Sequence, residues 1–303
     1  MRTIFCILAV FSTISEVNCQ TAEEYFYRGN EKIMHQDYKG AIVDFTKAIE
    51  IDPKLTEAYC NRGATKDALQ DYNGAIVDYT KAIEIDPEFA LAYSNRGKSK
   101  AGLQDYRGAI VDYTKALVLD PKNTKTYYGR GRAKYKLQDY RGALDDFTKI
   151  IDIEPENAEA YYSRGNSKFF LQDYNGANED YTKAIEINPK VVLYYYNRGR
   201  SKSAIGNYTG AISDYTMAIE IDPNHLNAFL YRGLTKSVLH DDRGAIADFS
   251  KVIEFDPMNK DAYYYRGMAK IAIGLIDSGC WDLSKAGEMG YIEAYKAIQN
   301  ICN

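Results

Sequence analysis

The sequence predicts an all-α solenoid of eight repeated helix pairs closed by a last helix. Three observations lead there. All seven prolines, Pro53, Pro87, Pro121, Pro155, Pro189, Pro223 and Pro257, stand 34 residues apart. Each interval holds two stretches with apolar residues at helical spacing. Nearly one phrase fills every interval, as at 56–89, TEAYCNRGATKDALQDYNGAIVDYTKAIEIDPEF. A period of this length sets the architecture before any local reading does, because each unit buries its apolar face against its neighbours.

By length alone the 303 residues would make about two average domains, a prior that the repeat overrides. An apolar content of 46% is enough for a continuous core, and 28 tyrosines ask where they are placed. A net charge of −4 and a pI near 5.6 give no general case for nucleic acid or an anionic membrane as partner.

Residues 1–19 differ from the rest. Arg2 precedes an apolar run, Ile4–Phe11, and then small and polar residues up to Val17-Asn18-Cys19. This reads as a secretory signal peptide cleaved near Cys19–Gln20, which places the mature chain in the periplasm or outside the cell. The run is too short to span a bilayer as a helix. Lipidation of Cys19 is the rival reading, and Glu16-Val17-Asn18 fits it poorly.

The units align as 22–55, 56–89, 90–123, 124–157, 158–191, 192–225, 226–259 and 260–287. With the first residue of each as position 1, a helix of about 12 residues opens the unit and a second covers about positions 18 to 30. Gln-Asp-Tyr lies between them in the first five units, and its Asp can cap the second helix. Asp-, Glu- or Asn-Pro then ends that helix, since proline cannot continue it and biases the preceding residue away from helical angles.

Position 8 is glycine in every unit, from Gly29 to Gly267. Glycine costs about 1 kcal/mol in a helix interior, so its recurrence implies close helix approach. Alanine at position 20 (Ala41 to Ala245) and mostly at 27 faces it across the hairpin. Large rings fill position 4 (Tyr25 to Tyr263, with Phe229) and position 24 (Phe45 to Phe249).

These features resemble the tetratricopeptide repeat family over 22–287: an aromatic at 4, Gly at 8, Ala at 20, an aromatic at 24, Ala at 27 and Pro at 32. The resemblance implies a right-handed superhelical solenoid whose concave groove holds peptides. It also marks a departure. The family usually has Leu at position 7 and Tyr at 11, whereas this chain has Arg and Lys.

Position 7 is Arg in every unit (Arg28 to Arg266), and position 11 is Lys (Lys32 to Lys270). One helical turn apart, they share a face. A phosphate track is one reading. The better one follows from Asp at position 23 in every unit, Asp44 to Asp282, which the hairpin brings level with position 8. Arg, Lys and Asp then form one local ion network per unit, with the Arg fork binding carboxylate through two hydrogen bonds.

Positions constant across units serve the shared scaffold, and varying ones are free for something else. Positions 2, 5, 9, 12 and 13 of the first helix vary and share a face, which the family resemblance equates with the groove. Its middle is aromatic and basic: Lys98, Lys125, Tyr128, Arg132, Tyr135, Lys136, Tyr162, Asn166, Phe169, Phe170, Tyr196 and Arg200. Leu230, Leu234 and Met268 make the C-terminal part apolar. Tyr and Arg often carry interface energy. The expected partner is a peptide or loop with acidic and aromatic or aliphatic residues. The plain alternative is the ordinary exposed surface of a spacer. Some family members clamp a C-terminal carboxylate with Lys and Asn. Asn166 and Asn197 fit two of those positions, but Tyr162, Asn227 and Tyr231 stand where the lysines belong, so such a clamp is not expected.

Unit 8 replaces Ala with Gly279 and lacks the proline, and its second helix should stop near Gly287. A last helix, about Tyr291–Cys302, begins like another unit and closes the exposed core face within a C-terminal segment 288–303. Cys280 at position 21 and Cys302 at position 11 of a partial ninth unit fall level on antiparallel helices. A Cys280–Cys302 disulfide is expected, with two buried thiols as the alternative. Cys60 should be a free thiol facing the groove, with no His base nearby.

His35, His225 and His240 fall in different units without metal-ligand spacing. Asp71-Tyr72-Asn73-Gly74 resembles half of a calcium loop without its first ligand. Asn207-Tyr208-Thr209 is a glycosylation sequon, relevant in a eukaryotic secretory pathway. The sequence supports no enzyme, cofactor or metal site. It supports an exported scaffold for protein–protein interaction, with a structural or self-associating envelope spacer as the alternative and an enzyme with an unrecognised site as the remote one.

Overall fold

The structure is a computed structural model that describes residues 21–302. The expected signal segment lies outside the described residues. Seventeen α-helices and no strand occur among them. The chain divides into two compact units, one ending at Leu119 and one starting at Asp120.

The first unit holds three helix pairs: α1 (Ala22–Met34) with α2 (Tyr38–Ile51), α3 (Thr56–Ala68) with α4 (Tyr72–Ile85), and α5 (Ala90–Gly102) with α6 (Tyr106–Leu119). The second unit holds five more. They are α7 (Thr124–Lys136) with α8 (Tyr140–Ile153), α9 (Ala158–Phe170) with α10 (Tyr174–Ile187), and α11 (Val192–Ala204) with α12 (Tyr208–Ile221). Next come α13 (Leu226–Val238) with α14 (Asp242–Phe255) and α15 (Lys260–Ala272) with α16 (Ile276–Glu288), and α17 (Ile292–Ile301) follows. Within each unit the second helix of a pair also packs on the first helix of the next.

The turn inside each pair is built from backbone and cap. Gln36, Gln70, Gln104, Gln138 and Gln172 take φ between 61° and 64°, and His240 takes 59°. This left-handed residue lets the Asp71 amide reach back to the Lys66 carbonyl (2.9 Å) and the Gln70 amide to that of Asp67 (2.9 Å). Together the two bonds close a Schellman motif. Glutamine adopts an angle here that glycine takes more cheaply, and Gly206 and Gly274 stand at the same repeat position with φ of 79° and 86°. The Asp side chain that follows accepts from the amide three residues on, as Asp71 does from Gly74 at 2.9 Å. Asn207 does the same for α12 at 3.0 Å.

The glycine at position 8 admits a ring. A Cβ on Gly63 would stand 2.9 Å from Tyr79 Cε1, and one on Gly199 would stand 2.7 Å from Tyr215 Cε1. Real Cβ atoms do not come so close, so the buried ring at position 24 occupies the space that the glycine leaves.

The Arg-Lys-Asp stripe is internal scaffold. In the unit of α9 and α10, Arg164 donates to both Asp180 oxygens at 2.9 and 2.7 Å, and Lys168 Nζ lies 3.0 Å from one of them. The same network recurs from Arg28, Lys32 and Asp44 to Arg266, Lys270 and Asp282. Each arginine does more than its ion pair. Arg198 donates to Thr182 of the preceding unit at 3.1 Å and lies 5.7 Å above the Tyr195 ring. Asp214 thus ties its own pair of helices together, and Arg198 ties that pair to the one before.

The end of the second unit is closed covalently. Cys280 on α16 and Cys302, the cap residue of α17, form a disulfide with Cα atoms 5.9 Å apart. Trp281 beside it is 54% exposed and packs against Tyr263 at 6.2 Å.

Candidate functional site

Helices α7, α9, α11 and α13 turn one face away from their partner helices, and the varying positions gather there. Between α7 and α9 lies a cavity of about 360 Å3, lined by Tyr128, Arg132, Tyr135, Lys136, Phe147, Glu159, Tyr162, Ser163 and Asn166. Six of the residues singled out from sequence meet in it: Tyr128, Arg132, Tyr135, Lys136, Tyr162 and Asn166.

Its floor is ordered by side-chain hydrogen bonds. The Tyr128 hydroxyl donates to Glu159 Oε1 at 2.8 Å, and the Tyr181 hydroxyl of α10 donates to Asn166 Oδ1 at 2.8 Å. Asn197 of α11 donates to the Tyr162 hydroxyl at 3.0 Å and accepts from Arg200 at 3.2 Å. Asn166 and Asn197 are therefore engaged by neighbours in the chain. The Arg132 guanidinium lies 5.8 Å from the Tyr128 ring centroid, and both Arg132 and Lys136 are exposed. Arg132 and Lys136 against Glu159 leave the rim one positive charge in excess.

Phe169, Tyr196 and Arg200 form a second cluster. Arg200 lies 4.5 Å from the Phe169 ring centroid and 5.9 and 6.0 Å from those of Tyr196 and Tyr231, distances at which a cation is attracted to an aromatic face. Tyr196 also meets the His225 ring at 5.0 Å. Phe170 stacks on Tyr140 at 4.9 Å, and Tyr135 meets it edge-on at 5.7 Å.

Burial raises the phenols of this face. It pushes Tyr135 and Tyr196 up to about 12, with neighbouring phenols adding to the effect and Arg200 opposing it. Tyr128 is raised by burial and by its bond to Glu159. At neutral pH these groups carry their protons and can donate.

Two expected groove residues belong to neither cluster. Lys125 is exposed near the start of α7, outside the lining. Lys98 is exposed on α5 of the first unit, where its charge acts on buried Asp67. Cys60 is a correction. It is a free thiol, but buried rather than facing a groove, packed with Ala75 and Tyr79 and partly covered by Phe89. Its side chain is too short to emerge past the Tyr79 ring, and burial pushes the thiol up to about 11. Glu159 and Ser163 were missed. Glu159 occupies position 2, one of the varying positions, and that was the signal available.

Among the described residues no group of three or more His, Cys, Asp or Glu is placed to hold a metal ion. No helix among them is long and apolar enough to cross a membrane.

Family models described as tetratricopeptide repeat or TPR repeat match residues 56–89, 102–138, 128–169, 158–191 and 192–225. The chain belongs to the tetratricopeptide repeat family. Among solved structures, this tetratricopeptide repeat chain is similar to YrrB, described as a TPR protein with an unusual peptide-binding site. Identity is 28% over 61% of this chain and 95% of that one, with a TM-score of 0.54. It is similar also to MamA, at 27% identity over 55% of this chain and 92% of that one, with a TM-score of 0.53. The C-terminal part of a TPR repeat-containing protein from Cytophaga hutchinsonii shares the fold at 20% identity. That likeness covers 78% of this chain and 97% of that one, with a TM-score of 0.67. No curated protein matches the tetratricopeptide repeat chain in sequence.

Proposed function

We propose that this chain is an exported, non-catalytic scaffold that holds a peptide or loop of a partner protein on the face formed by α7, α9 and α11. The observation that carries the reading is the cavity of about 360 Å3 between α7 and α9, walled by tyrosines and rimmed by Arg132 and Lys136. Such rings offer large, rigid contact area at small entropic cost, and Arg adds planar recognition of carboxylates. The partner segment carries acidic residues for the basic rim and aromatic or aliphatic residues for the rings. The peptide-binding site named for YrrB supports a peptide as occupant. Export rests on the composition of residues 1–19.

The test is capture of partners from the exported fraction by the wild-type chain and by R132A/Y162A/R200A. Capture should fall at least tenfold while helical content is kept. Unchanged capture would remove the reading.

A self-associating spacer is the second reading. Val43, Val77 and Val111 recur at one repeat position on α2, α4 and α6 of the first unit and are exposed by 52%, 67% and 68%. Light scattering on the wild type and on V77K tests it. A monomer at all concentrations would leave the spacer without support.

A further inference from the structure

Tyr215 breaks a rule that its equivalents obey. At the same repeat position, the Tyr79 hydroxyl is bonded to Asp67 Oδ2 at 3.3 Å and the Tyr181 hydroxyl to Asn166 Oδ1 at 2.8 Å. Tyr215 is fully buried on α12, and its hydroxyl finds no partner among the described residues. A buried phenol without a partner costs free energy and calls for an explanation.

The sequence supplies one. Asn166, which satisfies Tyr181, sits at position 9 of its unit. Position 9 of the next unit is Arg200, so a donor stands where the acceptor was. Arg200 gives one N–H to Asn197 Oδ1 and stacks on Phe169, while a guanidinium has five N–H groups. Among the described residues no carboxylate pairs with it, unlike the arginines at position 7. Its charge also acts on the Tyr215 phenol. The rings of Tyr196 and Tyr231 lie 6.1 and 6.3 Å from that of Tyr215 and complete the surround. The cluster has donors in excess, a positive charge and apolar walls. It lacks an anionic acceptor.

We propose that Arg200 and Tyr215 form a subsite for one carboxylate of a bound peptide, that of an Asp or Glu side chain. One cation and one phenol suit a singly charged group, whereas a phosphate dianion calls for an arginine cluster. Arg200 is partly exposed and meets the carboxylate first. The enclosed phenol engages as side chains over it rotate, a common adjustment at interfaces. The inference rests on the groove reading above, and the test separates the two.

Random heptapeptides, with free and with amidated C-termini, are selected on the full chain. The subsite predicts selected peptides with Asp or Glu at one register, whether the C-terminus is free or amidated, and dependence on a free C-terminus instead overturns it. Replacing that residue by Asn or Gln should weaken binding roughly tenfold, the scale of a hydrogen bond to a charged group. Y215F and R200Q should weaken the carboxylate peptide similarly and leave the neutral peptide unaffected. Phe147 and Phe249 occupy the same repeat position, so Y215F keeps the fold, and it should melt at or above the wild-type temperature. Selected peptides that bind Y215F and R200Q as tightly as wild type overturn the subsite and leave the groove, as would a water serving the phenol. A lowered melting temperature for Y215F also overturns it, because the hydroxyl would then have a structural partner. Failure to select any peptide overturns both readings.

Discussion

Arg164 grips Asp180 through two hydrogen bonds, 2.9 Å from Nε and 2.7 Å from Nη2, and Asp180 is buried. Removing one member of such a pair leaves an uncompensated charge, at a cost of roughly 3–5 kcal/mol. Asp180→Ala should therefore lower the stability by about that much in urea unfolding. The double variant R164L/D180A, with an apolar residue at position 7, should recover part of the loss. Equal stability of the wild type and D180A would return the stripe to the phosphate-track reading.

Gly165→Ala tests the hairpin contact. The new Cβ would stand 2.8 Å from Tyr181 Cε1, on a buried ring with nowhere to move. Alanine gains about 1 kcal/mol in intrinsic helix propensity. Overpacking of this kind costs about 1–3 kcal/mol. A net drop in melting temperature is expected, and a rise would show that the two helices separate easily.

Asp67 and Asp44 should respond to pH in opposite directions. Burial raises the Asp67 carboxyl above its ordinary value, against the bond from Ser99 at 2.6 Å and the charge of Lys98. The folded state then holds that proton more tightly than the unfolded state. The resulting penalty is full above the raised folded value and disappears below the ordinary value of about 3.9. Asp67→Asn should raise the melting temperature at pH 7, with a gain that shrinks toward pH 4. Asp44 is held below its ordinary value, chiefly by the hydrogen bond from Arg28. Its contribution is present above about 3.9 and is lost as pH falls through the lowered folded value. Asp44→Asn should destabilise at pH 7, and the loss should fade in acid. Melts of both variants across pH 3–7 would show the two slopes crossing or refute the assignment.

Reduction of Cys280–Cys302 should release α17. The bridge spans 22 residues, for which the chain-entropy model gives roughly 3 kcal/mol. Under reductant, the fluorescence of Trp281, the only tryptophan, should change at a lower temperature than the far-UV signal of the array. Coincident transitions with and without reductant would show that the bridge adds nothing.

Gln138 holds φ at 63° in the turn between α7 and α8. Relief of that conformation, less the entropy that glycine adds to the unfolded chain, should make Gln138→Gly stabilising by about 0.5 kcal/mol. Gln138→Val should destabilise, since a β-branched residue resists this angle. Paired denaturant curves decide it.

The scaffold was legible because it is repeated. Comparison among units separated Arg164, Lys168 and Asp180 from Arg132 and Arg200 with a single sequence in hand. The same comparison was silent where a residue's partner lies outside the repeat rule. Glu159 gains its role through Tyr128, 31 positions earlier, and only packing reveals that. The left-handed Gln could have been suspected from Gly206 and Gly274 at its register. The burial of Cys60 could not, because it depends on how the Tyr79 ring fills the gap beside it.

By itself the sequence determined the period, the helix pairs, the caps and the level at which Arg and Asp meet. All of these follow from short-range stereochemistry and a 34-residue register. Tertiary structure alone decided which varying side chains share a cavity, which are already satisfied and which phenol is left without an acceptor. Those properties depend on angles and distances between side chains of different repeats. At Arg200 and Tyr215, one substitution in that register changed an acceptor into a donor.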